Sequence, residues 1–421
     1  MINITDKSRC CGCNACVQRC PKGCIAMRED EEGFLYPAVD ADQCIECGLC
    51  EKVCPVLHPN EPKKPLHVYA AKNKNEEQRL RSSSGGIFIL LAEHVIQQGG
   101  VVFGARFDKD WEVEHAYAET MEEVEPLMRS KYVQSRIGNA YVEAERFLKQ
   151  GRKVLFVGTS CQIAGLRRFL GKDYDNLLAV DFICHGVPSP GVWRQYLKEI
   201  TSSRSEAAGK NTVLSFSLKT TPAIAGVNFR EKQNGGYGWK KYGFVVLTSP
   251  VKGDKNSVLL SSKFSDNPYM KAFLQNLILR PSCYACVAKD GRSMSDITIA
   301  DFWGIGNSHP DFDDDKGCGL LLLHTERGRA ALSALSDALS LLPVTLKDAT
   351  ASNPVYHHPV SVPPQRTQYW QLTQEGKTLS EAMAILNHVT LPNRIKAKLR
   401  LYCLTLPKRV VKKALGIVGL R

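Results

Sequence analysis

The alternation of apolar and polar positions divides the 421-residue chain into a cysteine-rich start, a regularly patterned middle and a weakly patterned end. Short apolar runs bounded by Gly or Pro predict buried strands, and apolar positions three or four residues apart predict helices. From His67 to about Leu323 the two patterns alternate. This alternation favours an α/β domain with buried parallel strands.

The predicted strands span residues 33–39, 67–71, 100–106, 111–118, 153–157, 177–183, 297–300 and 320–323. The predicted helices span 87–97, 141–149 and 268–279, together with a segment ending at Leu170 and one starting at Glu326. Residues 153–183 read as strand, Gly turn, helix and strand, which is a βαβ unit, and 111–118 is the expected hairpin partner of 100–106. Residues 212–248 are rich in β-branched and aromatic side chains and predict antiparallel strands. Residues 394–402 fit a strand and a helix equally well.

Two copies of one cysteine pattern occupy the first 55 residues. Each copy reads Cys-x2-Cys-x2-Cys-x3-Cys-Pro. In such runs three thiolates bind one cubane iron–sulfur cluster and the Cys before Pro binds the other cluster. The pattern predicts one [4Fe–4S] cluster on Cys10, Cys13, Cys16 and Cys54, and a second on Cys44, Cys47, Cys50 and Cys20. A zinc or disulfide framework is the alternative, but zinc sites have no reason to repeat a four-Cys run that ends in Pro.

The stretch after the second run separates two domains. Four prolines between Pro55 and Pro65, together with Lys63 and Lys64, make a stiff and polar linker. We predict a ferredoxin-like domain over residues 1–60, a linker over 61–66, a larger domain over 67–345 and a C-terminal extension over 346–421. A chain of this length can bury a large core in two or three domains.

The net charge of +12 is concentrated near the C-terminus. Residues 392–421 contain nine Lys or Arg and no Asp or Glu, which leaves +3 for the first 391 residues. Such a segment is typical of a solvated tail, and it would also suit anionic lipid headgroups or an acidic partner. No nucleic-acid partner is predicted. The first residues lack an apolar signal region and no apolar run approaches about 20 residues, so we expect a cytoplasmic protein with peripheral membrane contact as one use of the tail.

Sixteen Cys in a chain expected to stay reduced indicate metal binding rather than disulfides. Beyond the N-terminal ten, Cys161 and Cys184 follow the two strands of the βαβ unit, and Cys283-x2-Cys286 has the spacing of metal ligands. Neighbouring strand ends are where ligands bind in an open α/β sheet. Two interpretations stay open: a third cluster on these four thiolates, or two buried small hydrophobes beside a pair that binds zinc or nothing.

Two further stretches have candidate binding chemistry. Ser82-Ser83-Ser84-Gly85-Gly86 opens a predicted helix, where small residues and the helix dipole suit a pyrophosphate, although an ordinary Ser N-cap has the same appearance. Ser130-Lys131-Tyr132-Val133-Gln134-Ser135 groups a cation, a phenol and hydroxyls, but a solvated turn is the default interpretation. No Walker lysine follows and no Gly-x-Gly-x-x-Gly lies between a strand and a helix, so neither ATP nor ordinary dinucleotide binding is indicated.

Taken in order, these motifs resemble the iron–sulfur flavoproteins of the family of coenzyme F-420 hydrogenase/dehydrogenase beta subunits. The matching stretches are Ser84-Gly85-Gly86, residues 130–135, 158–166 (GTSCQIAGL), 181–190 (DFICHGVPSP), 283–286 (CYAC) and 295–304 (SDITIADFWG). The resemblance runs from about Val68 to Leu323, and a ferredoxin module is a common N-terminal fusion in the family. Members usually have Pro where this chain has Ser160.

The resemblance implies that residues 67–345 form a mixed α/β catalytic domain that binds FAD. It makes Cys161, Cys184, Cys283 and Cys286 ligands of a third [4Fe–4S] cluster. It implies a flavin site formed by Ser84, Gly85, Gly86, Lys131, Tyr132, Ser135, Gly158, Thr159 and Gln162. Lys131 and His185 are our candidates for electrostatic support or proton delivery.

We therefore expect an iron–sulfur flavoprotein oxidoreductase that passes electrons between ferredoxin-type clusters and FAD, because clusters move single electrons whereas a flavin pairs them. The expected partner is a redox protein, such as a ferredoxin or a reductase, or a reduced coenzyme. The substrate stays open, with a deazaflavin-like coenzyme among the candidates. Two alternatives are a non-catalytic electron-transfer subunit of a larger complex and a membrane-surface enzyme acting on a lipid-linked precursor.

Overall fold

A computed structural model describes residues 1–207, 223–233, 237–249 and 257–387. The basic segment 392–421 and the ambiguous stretch 394–402 lie outside these ranges, as does part of the region predicted to form antiparallel strands. The described residues form a small N-terminal module, an eight-stranded mixed sheet packed with helices, and a separate three-stranded sheet. The predicted fold class, a ferredoxin-like domain followed by a mixed α/β domain, is confirmed.

The N-terminal module repeats one loop–helix unit beside a two-stranded ribbon. Its elements are α1 (Ala15–Arg19), β1 (Ile25–Glu29), β2 (Leu35–Val39) and α2 (Leu49–Lys52). The residue before each helix has left-handed backbone geometry, with φ of 62° at Asn14 and 70° at Gly48. Each of these residues follows the second Cys of its run, so both runs turn at the same point. The repeated spacing therefore encodes two equivalent tight loops.

The main sheet combines parallel strands at its centre with antiparallel strands toward both edges. Its strands are β3 (His67–Asn73), β4 (Val101–Phe107), β5 (Val113–Ala118), β6 (Val154–Thr159), β7 (Leu177–Phe182), β11 (Ile297–Asp301), β12 (Gly319–Leu323) and β13 (Leu339–Pro343). Their order is β13-β3-β12-β11-β7-β6-β4-β5. β4, β6, β7 and β11 run parallel, and β4 pairs antiparallel with β5. The predicted βαβ unit and hairpin are thus both confirmed.

Helices and a second sheet complete the body. The helices are α3 (Glu76–Arg81), α4 (Ile87–Ile96), α5 (Met121–Val124), α6 (Ala140–Lys149), α7 (Ser160–Leu170), α8 (Pro190–Ala207), α9 (Pro268–Leu274), α10 (Ile305–Ser308), α11 (Glu326–Ser333), α12 (Leu346–Ala351), α13 (Arg366–Gln374) and α14 (Leu379–Leu386). The second sheet has the order β10-β9-β8, with β8 (Ile224–Glu231), β9 (Gly243–Thr248) and β10 (Ser257–Lys263), all antiparallel. The prediction of antiparallel strands is confirmed for the described part of 212–248.

One predicted helix is too long. The prediction of a helix over 268–279 is wrong beyond Leu274, where α9 ends. Asn276 adopts left-handed geometry (φ 62°), and the N–H of Leu277 bonds the carbonyl of Ala272 to close the helix. The apolar residues 277–279 are fully buried in the loop that follows. Their burial imitates a continued helical stripe because periodicity alone cannot distinguish a buried loop from a buried helix.

The N-terminal module shares its core with the body. Several of its cysteines belong to one hydrophobic cluster with side chains of β6, α6 and α7. Gly33 and Gly191 lie so close that a Cβ on Gly33 would approach the Gly191 Cα to 2.5 Å. Glu32 forms an ion pair with Arg366 in which both side chains are mostly buried. The predicted linker therefore joins two parts that pack tightly together, while the exact domain limits stay a prediction.

Candidate functional site

The two N-terminal cysteine runs exchange their last members in space. Cys20 of the first run lines one small cavity with Cys44, Cys47 and Cys50 of the second run. Cys54 of the second run is close enough to the first run that its charge, with that of Cys10, adds to burial in raising the pKa of Cys16 to about 12. This crossed arrangement is the one that the repeated motif requires for two cubane clusters.

The surroundings of these thiols suit thiolate ligands. The N–H of Ile2 donates to Cys50 Sγ over 3.3 Å, and Nη2 of the buried Arg280 lies 3.6 Å from Cys10 Sγ. Hydrogen bonds to cluster sulfurs stabilise their negative charge and tune the reduction potential. Within the described residues, no three His, Cys, Asp or Glu side chains converge tightly enough to hold a single metal ion.

The four later cysteines also come together. Cys161 lies in the first turn of α7, Cys184 follows β7, and Cys283 and Cys286 flank the end of a 3-10 turn over Pro281–Ala285. All four line one small cavity, to which Ser8, Cys11 and Val56 of the N-terminal region also contribute. The N–H of Val187 donates to Cys283 Sγ over 3.4 Å. Four thiols from three separate elements thus face one space, and this donor set fits a cubane cluster.

A buried lysine accompanies this four-cysteine cavity. Lys289 lines it and donates from Nζ to the carbonyl of Cys184 over 2.5 Å. Burial raises the pKa of Cys184 to about 12, and the Lys289 charge acts in the opposite direction. Binding iron would require these thiols to lose their protons, and a fixed cation beside them favours the thiolates.

A large cavity of about 610 Å³ opens beside the four-cysteine cavity, at the carboxyl ends of β4, β6, β7 and β11. This is the position at which open α/β sheets bind ligands. Every residue predicted for the flavin site lines it, as does His185: Ser84, Gly85, Gly86, Lys131, Tyr132, Ser135, Gly158, Thr159 and Gln162. The structure thus brings together residues from distant stretches of the chain, while their roles stay predictions.

The Ser/Gly turn before α4 is built for close backbone approach. A Cβ on Gly85 would lie 2.4 Å from the Gly319 nitrogen and 2.5 Å from the Ala71 oxygen, and Gly86 has a φ of 79°. Ser84 Oγ donates to the Cys318 carbonyl over 2.9 Å. The turn is therefore held against β3 and β12 and aims the N-terminus of α4 at the cavity, where the helix dipole favours an anion.

Lys131 is more constrained than the sequence indicates. Its Nζ donates to the carbonyls of Pro126 and Met128 over 2.7 and 2.6 Å, and the Arg129 carbonyl lies 3.4 Å away. Burial, followed by the charge of Arg129, lowers the pKa of Lys131 to about 7. Its ammonium group is therefore directed to the backbone rather than into the cavity.

Arg230 is the cavity cation that sequence reasoning missed. It makes paired hydrogen bonds of 3.0 Å to both carboxylate oxygens of Asp301 and a third, 3.1 Å, to the hydroxyl of Tyr132. Its guanidinium lies 4.1 Å from the ring centre of Tyr242 and 5.1 Å from that of Trp303. Its buried Nε has no hydrogen-bond partner in the described structure. The resemblance includes Asp301 and Trp303 but not Arg230, which lies in the unassigned stretch 212–248.

A chain of hydrogen bonds supports the cavity wall behind Ser135. His115 Nε2 donates to the Val157 carbonyl over 3.0 Å, so the Nδ1 atom accepts from the Ser135 hydroxyl over 2.9 Å. Gln162 Nε2 donates in turn to Ser135 Oγ over 2.9 Å, and its Oε1 accepts from the N–H of Thr159. Burial lowers the pKa of His115 to about 4. This wall is therefore held by a neutral imidazole.

The two body cavities share one wall. Thr159 and residues 184–187 line both the four-cysteine cavity and the large cavity. His185 Nε2 donates to Asn276 Oδ1 over 2.6 Å, and burial lowers its pKa. A group bound in either cavity would thus contact the same short loop after β7.

Comparison with known protein families gives two matches. The family described as coenzyme F420 hydrogenase/dehydrogenase, beta subunit (C terminus), matches residues 151–347, and the 4Fe-4S dicluster domain matches residues 9–57. The first match includes all four cysteines of the body cavity, and the second includes both N-terminal cysteine runs.

Curated relatives match the body and the module separately. An uncharacterized protein of Methanocaldococcus jannaschii is 25% identical over 41% of this chain and 56% of its own length. The F component of the F(420)H(2) dehydrogenase of Methanosarcina mazei, one of its subunits, is 28% identical over 40% of this chain and 50% of its own length. An uncharacterized ferredoxin of M. jannaschii is 40% identical over 12% of this chain and 66% of its own. The chain thus spans about half the length of the curated relatives that match its body.

Among solved structures, a chain of the F420-reducing [NiFe] hydrogenase complex from Methanosarcina barkeri aligns with a TM-score of 0.42 and 15% identity, covering 78% of this chain and 93% of that chain. In the described ranges no helix has the length and apolar character needed to cross a bilayer. The predicted family is confirmed, and with it two N-terminal [4Fe–4S] clusters. The chain belongs to the family of coenzyme F420 hydrogenase/dehydrogenase beta subunits and carries a 4Fe-4S dicluster domain at its N-terminus.

Proposed function

We propose that this chain is an iron–sulfur flavoprotein oxidoreductase with three [4Fe–4S] clusters and one FAD. Electrons pass between the dicluster module, a third cluster on Cys161, Cys184, Cys283 and Cys286, and a flavin in the large cavity. There the flavin exchanges electron pairs with a two-electron substrate or a deazaflavin-like coenzyme. A flavin supplies the chemistry that connects single-electron and pair transfer.

The observation that carries the proposal is the wall shared by the two body cavities. Cys184 lines both, and His185 to Val187 continue the same surface. A redox group held by the four cysteines would therefore adjoin one held in the large cavity. Such adjacency has no use in a protein whose four thiols serve only as packing or bind an isolated zinc ion.

The cavity residues suit FAD in chemistry as well as in position. The Ser/Gly turn and the N-terminus of α4 would hold the pyrophosphate. Aromatic side chains, among them Tyr132, Tyr242 and Trp303, provide flat surfaces for a planar ring. Arg230 keeps one buried donor free and would stabilise negative charge on a reduced ring, while His185 is the candidate for moving a proton at the wall.

The arrangement also predicts an order for the cofactors. The second N-terminal cluster site reaches the surface, because Cys47 is exposed and its neighbour Ile45 is 57% exposed. The first site packs on α7, where Gly165 faces Cys13. Electrons would therefore pass between a redox partner at Cys47, the second cluster, the first cluster, the third cluster and the flavin, in either direction.

Anaerobic purification of the full chain with iron and flavin quantitation tests this function. About twelve irons and one FAD per chain are expected from three four-iron clusters. Cys283→Ser should lower the count to about eight, with Cys318→Ser, a buried thiol outside both cysteine cavities, as the matched control. Wild-type protein with eight irons and no flavin would contradict the proposal.

A second candidate function is electron transfer without substrate chemistry of its own. It is favoured by the exposed Cys47 and by the name of the M. mazei relative, which is a subunit of a dehydrogenase. A screen with deazaflavin, quinone and viologen substrates distinguishes the two functions. Turnover by the purified chain alone supports the enzyme, whereas turnover only after a partner protein is added supports the electron-transfer role.

A further inference from the structure

We infer that Cys11 is the contact through which electrons pass between the first N-terminal cluster and the third cluster, and that it is a ligand of neither. This inference rests on the proposed function, because it assumes the third cluster. Cys11 is outside both repeated motifs, whose ligand positions are all filled by other cysteines. Its role would be to bring two separately held redox groups into contact.

The position of Cys11 between the two sites is the main evidence. Its buried side chain is in hydrogen-bond contact with Cys13, a predicted ligand of the first cluster. It is also in hydrogen-bond contact with Cys161, a predicted ligand of the third cluster. It lines the four-cysteine cavity although it belongs to the N-terminal module. No other described cysteine of the module lines that cavity.

The surrounding structure holds Cys11 in this position. Gln134 Nε2 donates to the Cys11 carbonyl over 3.1 Å, and Arg280 Nε donates to the carbonyl of Cys10 over 2.7 Å. On the other side, Gly165 leaves the space that Cys13 occupies, since a Cβ there would lie 2.9 Å from the Cys13 Cβ. These contacts belong to body residues, so the body itself fixes the thiol between the two sites.

The chain offers an internal comparison in Cys24, the other cysteine of the module without an assigned ligand role. Cys24 lines the cavity of the second N-terminal set, and its Sγ lies 3.4 Å from that of Cys20. Its thiol neighbours, Cys20 and Cys44, both belong to the predicted second cluster. Cys24 therefore touches one cluster site whereas Cys11 touches two, and only Cys11 can connect two sites.

The transfer at Cys11 is a one-electron step. One reduced [4Fe–4S] cluster loses an electron and the neighbouring oxidised cluster gains it, while no bond to Cys11 forms or breaks and no proton moves. A thiol in contact with ligand sulfurs on both sides provides a continuous path. Replacing it by a smaller side chain leaves a gap. Groups just outside the ligand shell typically change metal-site function about 10- to 100-fold when they are removed.

The test compares Cys11→Ala with Cys24→Ala in the full chain, purified anaerobically. The N-terminal clusters are reduced by a fast low-potential donor, and reduction of the third cluster is followed by freeze-quench EPR. The third-cluster signal is identified by its absence in Cys283→Ser. We expect Cys11→Ala to keep about twelve irons, to slow reduction of the third cluster about tenfold and to weaken its magnetic coupling to the first cluster. Cys24→Ala should leave that rate and coupling unchanged.

Three outcomes would overturn the inference. Transfer at the wild-type rate in Cys11→Ala would exclude Cys11 from the path. Loss of about four irons in both Cys11→Ala and Cys11→Ser would make Cys11 a ligand. Wild-type protein without a third-cluster signal would overturn this inference together with the proposed function, and the iron count of the wild type distinguishes that case from the other two. Cys11→Ser, which keeps a polar group of similar size, should show a smaller loss of rate than Cys11→Ala.

Discussion

Arg280 Nε donates to the carbonyl of Cys10 over 2.7 Å from a side chain that is completely buried. The same guanidinium donates to the Leu35 carbonyl over 2.9 Å and to Gln134 Oε1 over 3.0 Å. It also lies 4.2 Å from the ring centre of Tyr36. A single body residue thus binds both the first cysteine loop and the β-ribbon of the module, and it begins the segment that carries Cys283.

We expect Arg280→Ala to loosen the N-terminal module. The change leaves two buried carbonyl groups without a donor, at about 1–3 kcal/mol each, so a loss of roughly 2–6 kcal/mol is expected. The anaerobic unfolding midpoint and the irons retained after gel filtration measure the effect. Arg28→Ala, at an exposed position of β1, is the control and should stay within about 0.5 kcal/mol of wild type. Equal midpoints and iron counts for the two variants would contradict this role of Arg280.

Gly165 is the point at which α7 makes room for the first cysteine loop. A Cβ there would lie 2.9 Å from the Cβ and 3.0 Å from the Sγ of Cys13, and 3.0 Å from the hydroxyl of Tyr141. We expect Gly165→Ala to displace the loop and to lower iron content at the first cluster, at a stability cost of about 1–3 kcal/mol for overpacking. Iron analysis with EPR of the reduced protein measures this. Gly226→Ala, where the nearest atom is 3.5 Å away, should keep all its iron; equal iron in both variants would show that the loop tolerates the added methyl group.

The cysteine runs and the βαβ unit were accessible from sequence because their signals are local. Thiolate spacing sets the two loops, and a short apolar run followed by a Gly turn sets β6 and the start of α7. The convergence of Cys161 and Cys184 followed from parallel strands ending at one edge of the sheet. The addition of Cys283 and Cys286 depended on a family resemblance, since nothing local relates a loop near residue 285 to that edge.

The contacts between distant segments could not be predicted. Arg230 has no motif around it, and its importance comes from Asp301, Tyr132 and two aromatic rings that approach it only in the folded chain. Cys11 looks like a spare thiol in sequence because its neighbour Cys161 is 150 positions away. Single-chain patterns report periodicity and spacing, whereas these pairings depend on how the module docks on the body.

His115 makes stability depend on pH. Burial keeps it neutral with a pKa of about 4, whereas in the unfolded chain its pKa is about 6.5. Between these values the unfolded state binds the extra proton, so its stabilising contribution is complete above about pH 6.5 and is lost as pH falls toward 4. The difference corresponds to about 3 kcal/mol. Anaerobic urea unfolding at pH 7.5 and pH 5 measures it.

The matched variants separate His115 from other acid-sensitive groups. His115→Gln should unfold more easily than wild type at pH 7.5 but lose less stability between pH 7.5 and pH 5. His358→Gln changes an exposed histidine and should follow the wild-type pH dependence. Iron–sulfur clusters are present in all three proteins, so their own acid sensitivity cancels in the comparison. If His115→Gln and wild type lost equal stability on acidification, His115 would not be the group responsible.

Arg230 should set the redox potential of a flavin bound in the large cavity. Its Nε is a buried donor without a partner, and Asp301 and Tyr132 hold the guanidinium in place. A hydrogen bond from a cation to a reduced ring contributes about 1.5–3 kcal/mol, equivalent to roughly 30–65 mV for a two-electron couple. We expect Arg230→Gln to lower the flavin potential by about this amount, measured by anaerobic spectroelectrochemical titration.

Arg129→Gln is the matched control for this prediction, because Arg129 lines the same cavity but is exposed. It should shift the flavin potential little, since solvent screens its charge. Lys131→Gln provides a second comparison: Lys131 Nζ is bonded to backbone carbonyls, so its loss should lower stability more than it lowers the potential. A larger potential shift in Lys131→Gln than in Arg230→Gln would reverse the assignment and make Lys131 the cation that acts on the ring. Cluster content should be unchanged in all three variants, because none of these residues contacts the cysteine sets.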